Sequence, residues 1–427
     1  MSDSPHRVAP ASIRDRTGSS LPSPLGPALA LGLALGGCLS DPAPVDAPPP
    51  PLRAPTIALG YPSDVHGCRG PVSAPERLVV TSTDFNTGAV GLIDLDTLSV
   101  EPDLALASQD AVPVVADGRV FIVNRYGFDW LDELDPDDRL ALVHQLAIKA
   151  VTVDTSANPH DLVLSPDGDR AWLTLHGAGE LQRIRFPTLE AALPHADLAL
   201  DLREFADADG IPELSMAVGC GDGLSFVSAL RIDRSSWTPT GTTLLIPLRA
   251  DPPAAATLFE FDDAHPGADG IPLLGVGVGP WRMGDDDNMV MLNSGLERID
   301  LRAGTSVWVV DETVFASYGM GKLQLSGFDY DHQGRIWLSV ATEDFSSFGL
   351  WRVELGEGPE DATLSLEVGG LHSVTGALEI AGQRAFFSDT SIGASGVRVF
   401  ELGVSPVEEH PASPLAVGLP PMMLTGL

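Results

Sequence analysis

Pro159-His160-Asp161-Leu162-Val163-Leu164-Ser165-Pro166-Asp167-Gly168 runs directly into Arg170-Ala171-Trp172-Leu173-Thr174-Leu175. Two apolar runs flank a Ser-Pro-Asp-Gly corner, where proline presets φ at the second turn position and glycine tolerates the far end. The pattern predicts a strand, a tight turn and a second strand, and Leu181 to Phe186 supplies a third. Helical periodicity is almost absent from the chain; Leu189 to Leu193 is the best candidate for a single helical turn.

The three-strand grammar recurs. Ala111–Asp117, Arg119–Val123 and Phe128–Leu134 give one copy; Leu214–Gly219, Leu224–Ile232 and Thr242–Leu248 give another. Pro280–Met283, Met289–Leu292 and Leu296–Leu301 follow, then Ser326–Asp331, Arg335–Val340 and Gly349–Leu355, and last Val374–Ile380, Arg384–Ser388 and Gly396–Leu402. Outer fourth strands are expected, for example at Ser306–Val310 and Thr363–Val368. A repeat of this length marks a propeller or solenoid. Arg77–Ser82 and Ala89–Asp94 look like second and third strands without a first, and Met422–Thr425 looks like a first strand with nothing after it. Joined, they complete a seventh unit and close the ring, which removes the exposed edges of an open sheet. The expected fold is an all-β, seven-bladed β-propeller closed by its C-terminal strand.

Asn158 to Thr174 resembles the repeat of bacterial YVTN, YncE and lactonase-like seven-bladed propellers. Phe328-Asp329-Tyr330-Asp331-His332-Gln333-Gly334-Arg335-Ile336-Trp337-Leu338 is similar to the repeat of NHL-related propellers. The resemblance runs from Glu76 onward and rests on turns and strands, so it implies fold and leaves function open. The Gly-His…Trp-Asp signature of WD40 repeats is missing.

The front of the chain reads differently. An apolar run from Leu21 to Leu35, behind Arg14 and Arg16, ends in Gly36-Gly37-Cys38. It is broken by prolines and falls short of the roughly 20 apolar residues that span a bilayer. It is read as an export signal of the lipoprotein class over residues 1–37, with Cys38 as the lipidated residue. Residues 38–75, with Pro48-Pro49-Pro50-Pro51 at their centre, are expected to form an extended tether, and residues 76–427 the propeller. Leu39 after the lipidated cysteine points to the outer membrane. In an exported protein the two remaining cysteines, Cys68 and Cys220, form a candidate disulfide.

Asp plus Glu number 59 against 25 Lys plus Arg, a formal net charge of -34. Such a chain repels nucleic acid and anionic head groups, so membrane attachment is expected through the lipid alone.

In this topology the loops after the second strands share one face with the connections between blades. Asp84, Asn124, His176, Asn293, Glu343 and Asp389 follow the second strands, and Asn158, His160 and His372 lie in the connections between blades. A ring of carboxylates, amides and imidazoles suits a calcium or another divalent cation, or a hydroxylated ligand. Two functions follow. The first is a non-catalytic binding or scaffold module for an envelope protein or carbohydrate partner, with no catalytic residues assigned. The alternative is a metal-dependent lactonase- or gluconolactonase-like hydrolase, its cation polarising a carbonyl at the channel mouth. No Gly-x-Ser-x-Gly nucleophile elbow occurs. Asp285-Asp286-Asp287-Asn288 and two Ala-Asp-Gly-Ile-Pro loops are further calcium candidates, but they lack the EF-hand pattern and are read first as solvated turns.

Overall fold

The computed structural model describes residues 48–427 apart from 60, 63, 72–73, 187–192, 237, 250–256, 261–269, 278, 322, 324–325 and 345. The signal segment, Cys38, the start of the tether, most of the Leu189–Leu193 turn and the second acidic loop at 261–269 lie outside the described residues.

Seven antiparallel sheets follow one another. Blade 1 joins Pro421–Gly426, Arg77–Thr83, Gly88–Asp94 and Val100–Ala107, from inner to outer strand. Blade 2 is Ala111–Ala116, Arg119–Asn124, Trp130–Asp135 and Ala141–Ala147; blade 3 is Pro159–Leu164, Arg170–Leu175, Glu180–Arg185 and His195–Asp201. Blade 4 is Leu214–Gly219, Leu224–Ala229, Leu244–Arg249 and Thr257–Glu260; blade 5 is Trp281–Met283, Asn288–Leu292, Leu296–Asp300 and Thr305–Val310. Blade 6 is Gly327–Tyr330, Ile336–Ala341, Phe348–Glu354 and Thr363–Leu371; blade 7 is Leu378–Ala381, Arg384–Asp389, Gly396–Glu401 and Glu408–Glu409.

The second strands read as nearly continuous apolar runs because both of their faces are covered. Alternate residues point to opposite neighbours: Leu78 and Val80 pack toward blade 7, and Val79 toward blade 2. Phe121 and Val123 likewise face blade 3 while Val120 and Ile122 face blade 1. One apolar cluster therefore fills each interface between neighbouring blades, including the one between blades 7 and 1. The ring is closed. Trp172 lies in the blade 3–4 cluster and Trp337 in the blade 6–7 cluster, while Trp351 packs against the blade 5–6 cluster.

Two departures from the sequence reading concern edges. Part of the segment expected to be a tether belongs to the blades, because Leu52–Arg53 adds a parallel strand to the outer edge of blade 3 and Thr56–Leu59 does the same for blade 4. An outer strand offers unpaired N–H and C=O groups that any extended non-proline stretch can satisfy, without an alternating apolar signature. In blade 4 the second strand stops at Ala229 rather than Ile232. Arg231 turns the chain at φ 54°, and Ile232–Asp233 then pairs with Thr238–Pro239 as a small side hairpin.

Candidate functional site

The loops between second and third strands and the connections between blades define one face, called upper below. The turns joining first to second strands and third to fourth strands define the lower face. Asn124, Asn293 and Asp389 are fully buried at the upper ends of their blades. Asn124 accepts the Ser108 N–H through Oδ1 at 2.6 Å and donates from Nδ2 to Asp132 Oδ2 at 2.8 Å. Asn293 repeats this in blade 5, accepting the Gly277 N–H at 2.9 Å and donating to Glu297 Oε2 at 2.6 Å. Both side chains button the incoming connection onto its own blade, a bond that costs about 1–3 kcal/mol to leave unmade once buried. Asp389 accepts the Ser391 N–H at 2.7 Å and pairs with Arg398 at 3.0 Å.

Asp84 folds its own loop, accepting the N–H groups of Asn86 and Thr87 at 2.8 and 2.7 Å, and these bonds hold its carboxyl below the usual range. Glu343 and His372 are exposed on blade 6 and in the following connection. The ring expected from the sequence is thus divided among separate blades rather than gathered on one ligand. Among the described residues no group of three or more His, Cys, Asp and Glu side chains is placed to hold a metal ion. Asp287 of the acidic turn instead accepts the Cys68 N–H at 2.9 Å and pairs with Arg302 at 3.0 Å.

One part of the ring does converge. His160 and His176 stack with centroids 4.3 Å apart and planes 17° apart, and His160 Nδ1 lies 3.4 Å from Ser215 Oγ. Asn158, at φ 46°, accepts the Tyr126 N–H at 3.2 Å and takes the His176 N–H on its carbonyl at 2.9 Å. Burial pushes the His176 imidazole down to about 3, helped by Arg234 and Arg125, and His160 shifts the same way through burial, His176 and Arg125. The pair is neutral at pH 7.

The inner strands carry charges that the sequence reading did not single out. Arg282 of blade 5 bonds Asp329 of blade 6 at 2.8 Å and Glu379 of blade 7 at 3.1 Å. Burial pushes Glu379 up to about 8 against the pull of Arg282. Asp161, half-buried on the blade 3 inner strand, is raised by burial to about 7. A charged residue inside a short apolar strand, as in Trp281-Arg282-Met283 or Leu378-Glu379-Ile380, is the sequence signal that would have located them.

The upper face also holds an exposed apolar arc across blades 7, 1 and 2. Ile392 stands fully in solvent in the blade 7 loop, and Phe85 and Tyr126 are 59% and 56% exposed in those of blades 1 and 2. Phe128 packs edge-on against Trp130 at 5.1 Å beside Tyr126. Phe85 and Tyr126 occupy equivalent places, two residues beyond Thr83 and Asn124, and both have left-handed backbone, φ 66° and 52°. Bulky side chains rarely tolerate that region.

No protein-family model and no curated protein matches the chain. Among solved structures, a 6-phosphogluconolactonase candidate from Bacteroides fragilis is 14% identical over 83% of this chain and 98% of its own, with a TM-score of 0.53. The periplasmic gluconolactonase of Pseudomonas aeruginosa is 14% identical over 82% and 96%, TM-score 0.49. The first likeness is one of fold, the seven-bladed propeller.

Proposed function

We propose that this protein is an envelope-displayed binding module, anchored through a lipid on Cys38, whose upper face takes a protein or carbohydrate partner. The observation that carries this is the arc of Ile392, Phe85 and Tyr126. Large apolar side chains held in solvent on three consecutive blades, two of them in a strained backbone conformation, fit a site kept for contact rather than for stability. Aromatic anchors on rigid scaffolds give contact area at low entropic cost. The hydrolase alternative draws its support from the names of the fold neighbours. It needs cation ligands that the described residues of the channel mouth do not bring together.

A photo-activatable phenylalanine analogue placed at Tyr126, and separately at the exposed lower-face residue Leu355, tests the reading in intact cells. Cross-linked species from position 126 alone support an upper-face partner, and their digestion by protease or by glycosidase assigns its class. Equal cross-linking from both positions, or none from either, removes the binding reading. Turnover of lactones by the purified chain favours the hydrolase.

A further inference from the structure

The segment before blade 1 does more than add edge strands. Tyr61 donates from Oη to the Leu301 carbonyl at the lower side of blade 5. Asp64 pairs with Arg249 at 2.5 Å, and the Val65 side chain is buried in the blade 4–5 cluster while its carbonyl accepts from Arg302 at 3.2 Å. The His66 carbonyl accepts the Gly221 N–H at 2.7 Å, and Cys68 is disulfide-bonded to Cys220 in the same lower turn of blade 4. Arg69 donates its N–H to Gly219, the last residue of the blade 4 inner strand, at 2.8 Å, and its guanidinium reaches Asp117 in the lower turn of blade 2 at 2.5 Å. Gly70 lies so close to Met283, at the lower end of the blade 5 inner strand, that a Cβ there would sit 3.1 Å from the Met283 nitrogen.

The chain is next tied down on blade 1. Pro75 packs against Gly426, and the Glu76 N–H donates to Leu427 at 2.9 Å. In a ring of seven, blades 4 and 5 stand opposite blade 1. Arg69 thus links the lower end of the blade 4 inner strand to the lower turn of blade 2, and Gly70 lies against the lower end of the blade 5 inner strand, so the segment crosses the lower ends of the inner strands that line the channel.

We propose that Val65–Gly70 is a disulfide-held floor. It shuts the lower mouth of the channel, leaves the upper face as the way in, and is released by reduction. A dithiol reductant supplies two electrons and two protons, Cys68 and Cys220 become thiols, and the reductant leaves as its own disulfide. Release frees Met283, against which Gly70 lies, and takes Val65 and Cys68 out of the cluster that also holds Met216 and Trp281. Six of the seven interface clusters and the closure of blade 1 do not include this bond, and the blade 4–5 cluster, which holds Val65, Cys68 and Cys220, keeps blade residues such as Phe226, Leu245, Met289 and Met291 without it, so the ring outlasts it. The partner class is then a thiol–disulfide exchange protein of the oxidising compartment.

Hydrogen exchange on the full chain, with and without dithiothreitol and with free thiols counted, tests this. The Gly221 and Arg69 amides report the floor, and the Phe226 and Phe386 amides report the ring. Reduction is expected to lower protection at least tenfold at the first pair and leave the second within twofold. The Cys68→Ser/Cys220→Ser variant is expected to show the same pattern without reductant. Unchanged protection at Gly221 and Arg69 with both thiols free overturns the proposal. So does loss of protection at all four amides together, or a variant that does not fold, since each makes the bond part of the ring's own stability.

Discussion

The carboxylate of Asp161 in the blade 3 inner strand accepts the backbone N–H of Ala217 in the blade 4 inner strand at 2.8 Å, and turns its other oxygen to the Leu162 N–H. Asp329 does the same from blade 6, accepting from Ile380 of blade 7 at 2.8 Å and from its own neighbour Tyr330. Inner strands of neighbouring blades share no sheet ladder, so these carboxylates are polar stitches between them, alongside the Arg282 links to Asp329 and Glu379. Asp161→Asn should be nearly as costly as Asp161→Ala, because the amide presents one N–H donor to another. Urea unfolding should show a loss of about 2–3 kcal/mol for each, with faster exchange at Ala217. Asn behaving like wild type would mean that the stitch contributes no stability.

Two sets of buried groups should shape the pH dependence of stability in opposite senses. Above about pH 6.5 the imidazoles are neutral in both states, and the carboxyls of Asp161 and Glu213, raised by burial to about 7, and of Glu379, raised to about 8, set the slope. The native state keeps protons that the unfolded chain releases, so stability falls as pH rises toward 8. Below 6.5 the unfolded chain protonates His160 and His176 while the native state, with His176 at about 3, resists. The resulting loss of stability opposes the gain from the three raised carboxyls, which between about pH 4.5 and 6.5 are protonated in the native state and ionised in the unfolded chain, so stability changes little there. The groups facing the pair are Arg125, held by Asp110, and Arg234, held by Glu213. His176→Gln should remove part of the opposing histidine contribution, so that Tm rises more steeply as pH falls from about 6.5 to 4.5 while the slope above about 6.5 stays in place. An unchanged slope below about 6.5 would show that His176 does not contribute to it.

Much of the ring is legible in the residues. Apolar runs such as Arg170-Ala171-Trp172-Leu173-Thr174-Leu175 have to be buried on both faces, and the orphan strand at each end of the domain has its natural partner in the other. The upper-face ring was legible as a set of polar positions but not as a site. Asn124 and Asn293 stand where a ligand-binding residue would stand, and only their bonds to Ser108 and Gly277 show that they fasten connections. Of the floor only its fastening was legible, as the candidate pair Cys68 and Cys220. The rest of Val65–Gly70 carries no period of its own, and its place is set by partners distant in sequence, Asp117, Gly219, Gly221 and Met283.

Closure makes the C-terminal strand a separable part. Leu427 exchanges hydrogen bonds with Arg77 in both directions, at 2.8 and 3.0 Å, and Met422 and Leu424 are buried. Removing residues 421–427 should open the blade 1 sheet, expose the inner edge of Arg77–Thr83 and abolish the single cooperative melt. A synthetic peptide of that sequence should restore the melt in a concentration-dependent way, since binding to the folded state alone raises stability by mass action. A truncated chain that melts like the full one would show that the closing strand is dispensable.

Phe85 and Tyr126 set stability against contact. A left-handed backbone costs an ordinary residue about 1–2 kcal/mol, and asparagine tolerates it better than a bulky aromatic does. The local bonds that hold the two loops, the Phe85 N–H to Thr83 Oγ1 at 2.9 Å and the Tyr126 N–H to Asn158, use backbone donors and survive substitution. Phe85→Asn and Tyr126→Asn should therefore raise stability by roughly 0.5–1 kcal/mol each in urea unfolding. If the arc is the partner site, the same changes should cut affinity for whatever is cross-linked at this face at least tenfold. Stabilisation with affinity intact would place the partner elsewhere on the ring. Destabilisation would mean that the rings pack more than their exposure allows, and that the strain is offset by local contacts rather than kept for binding.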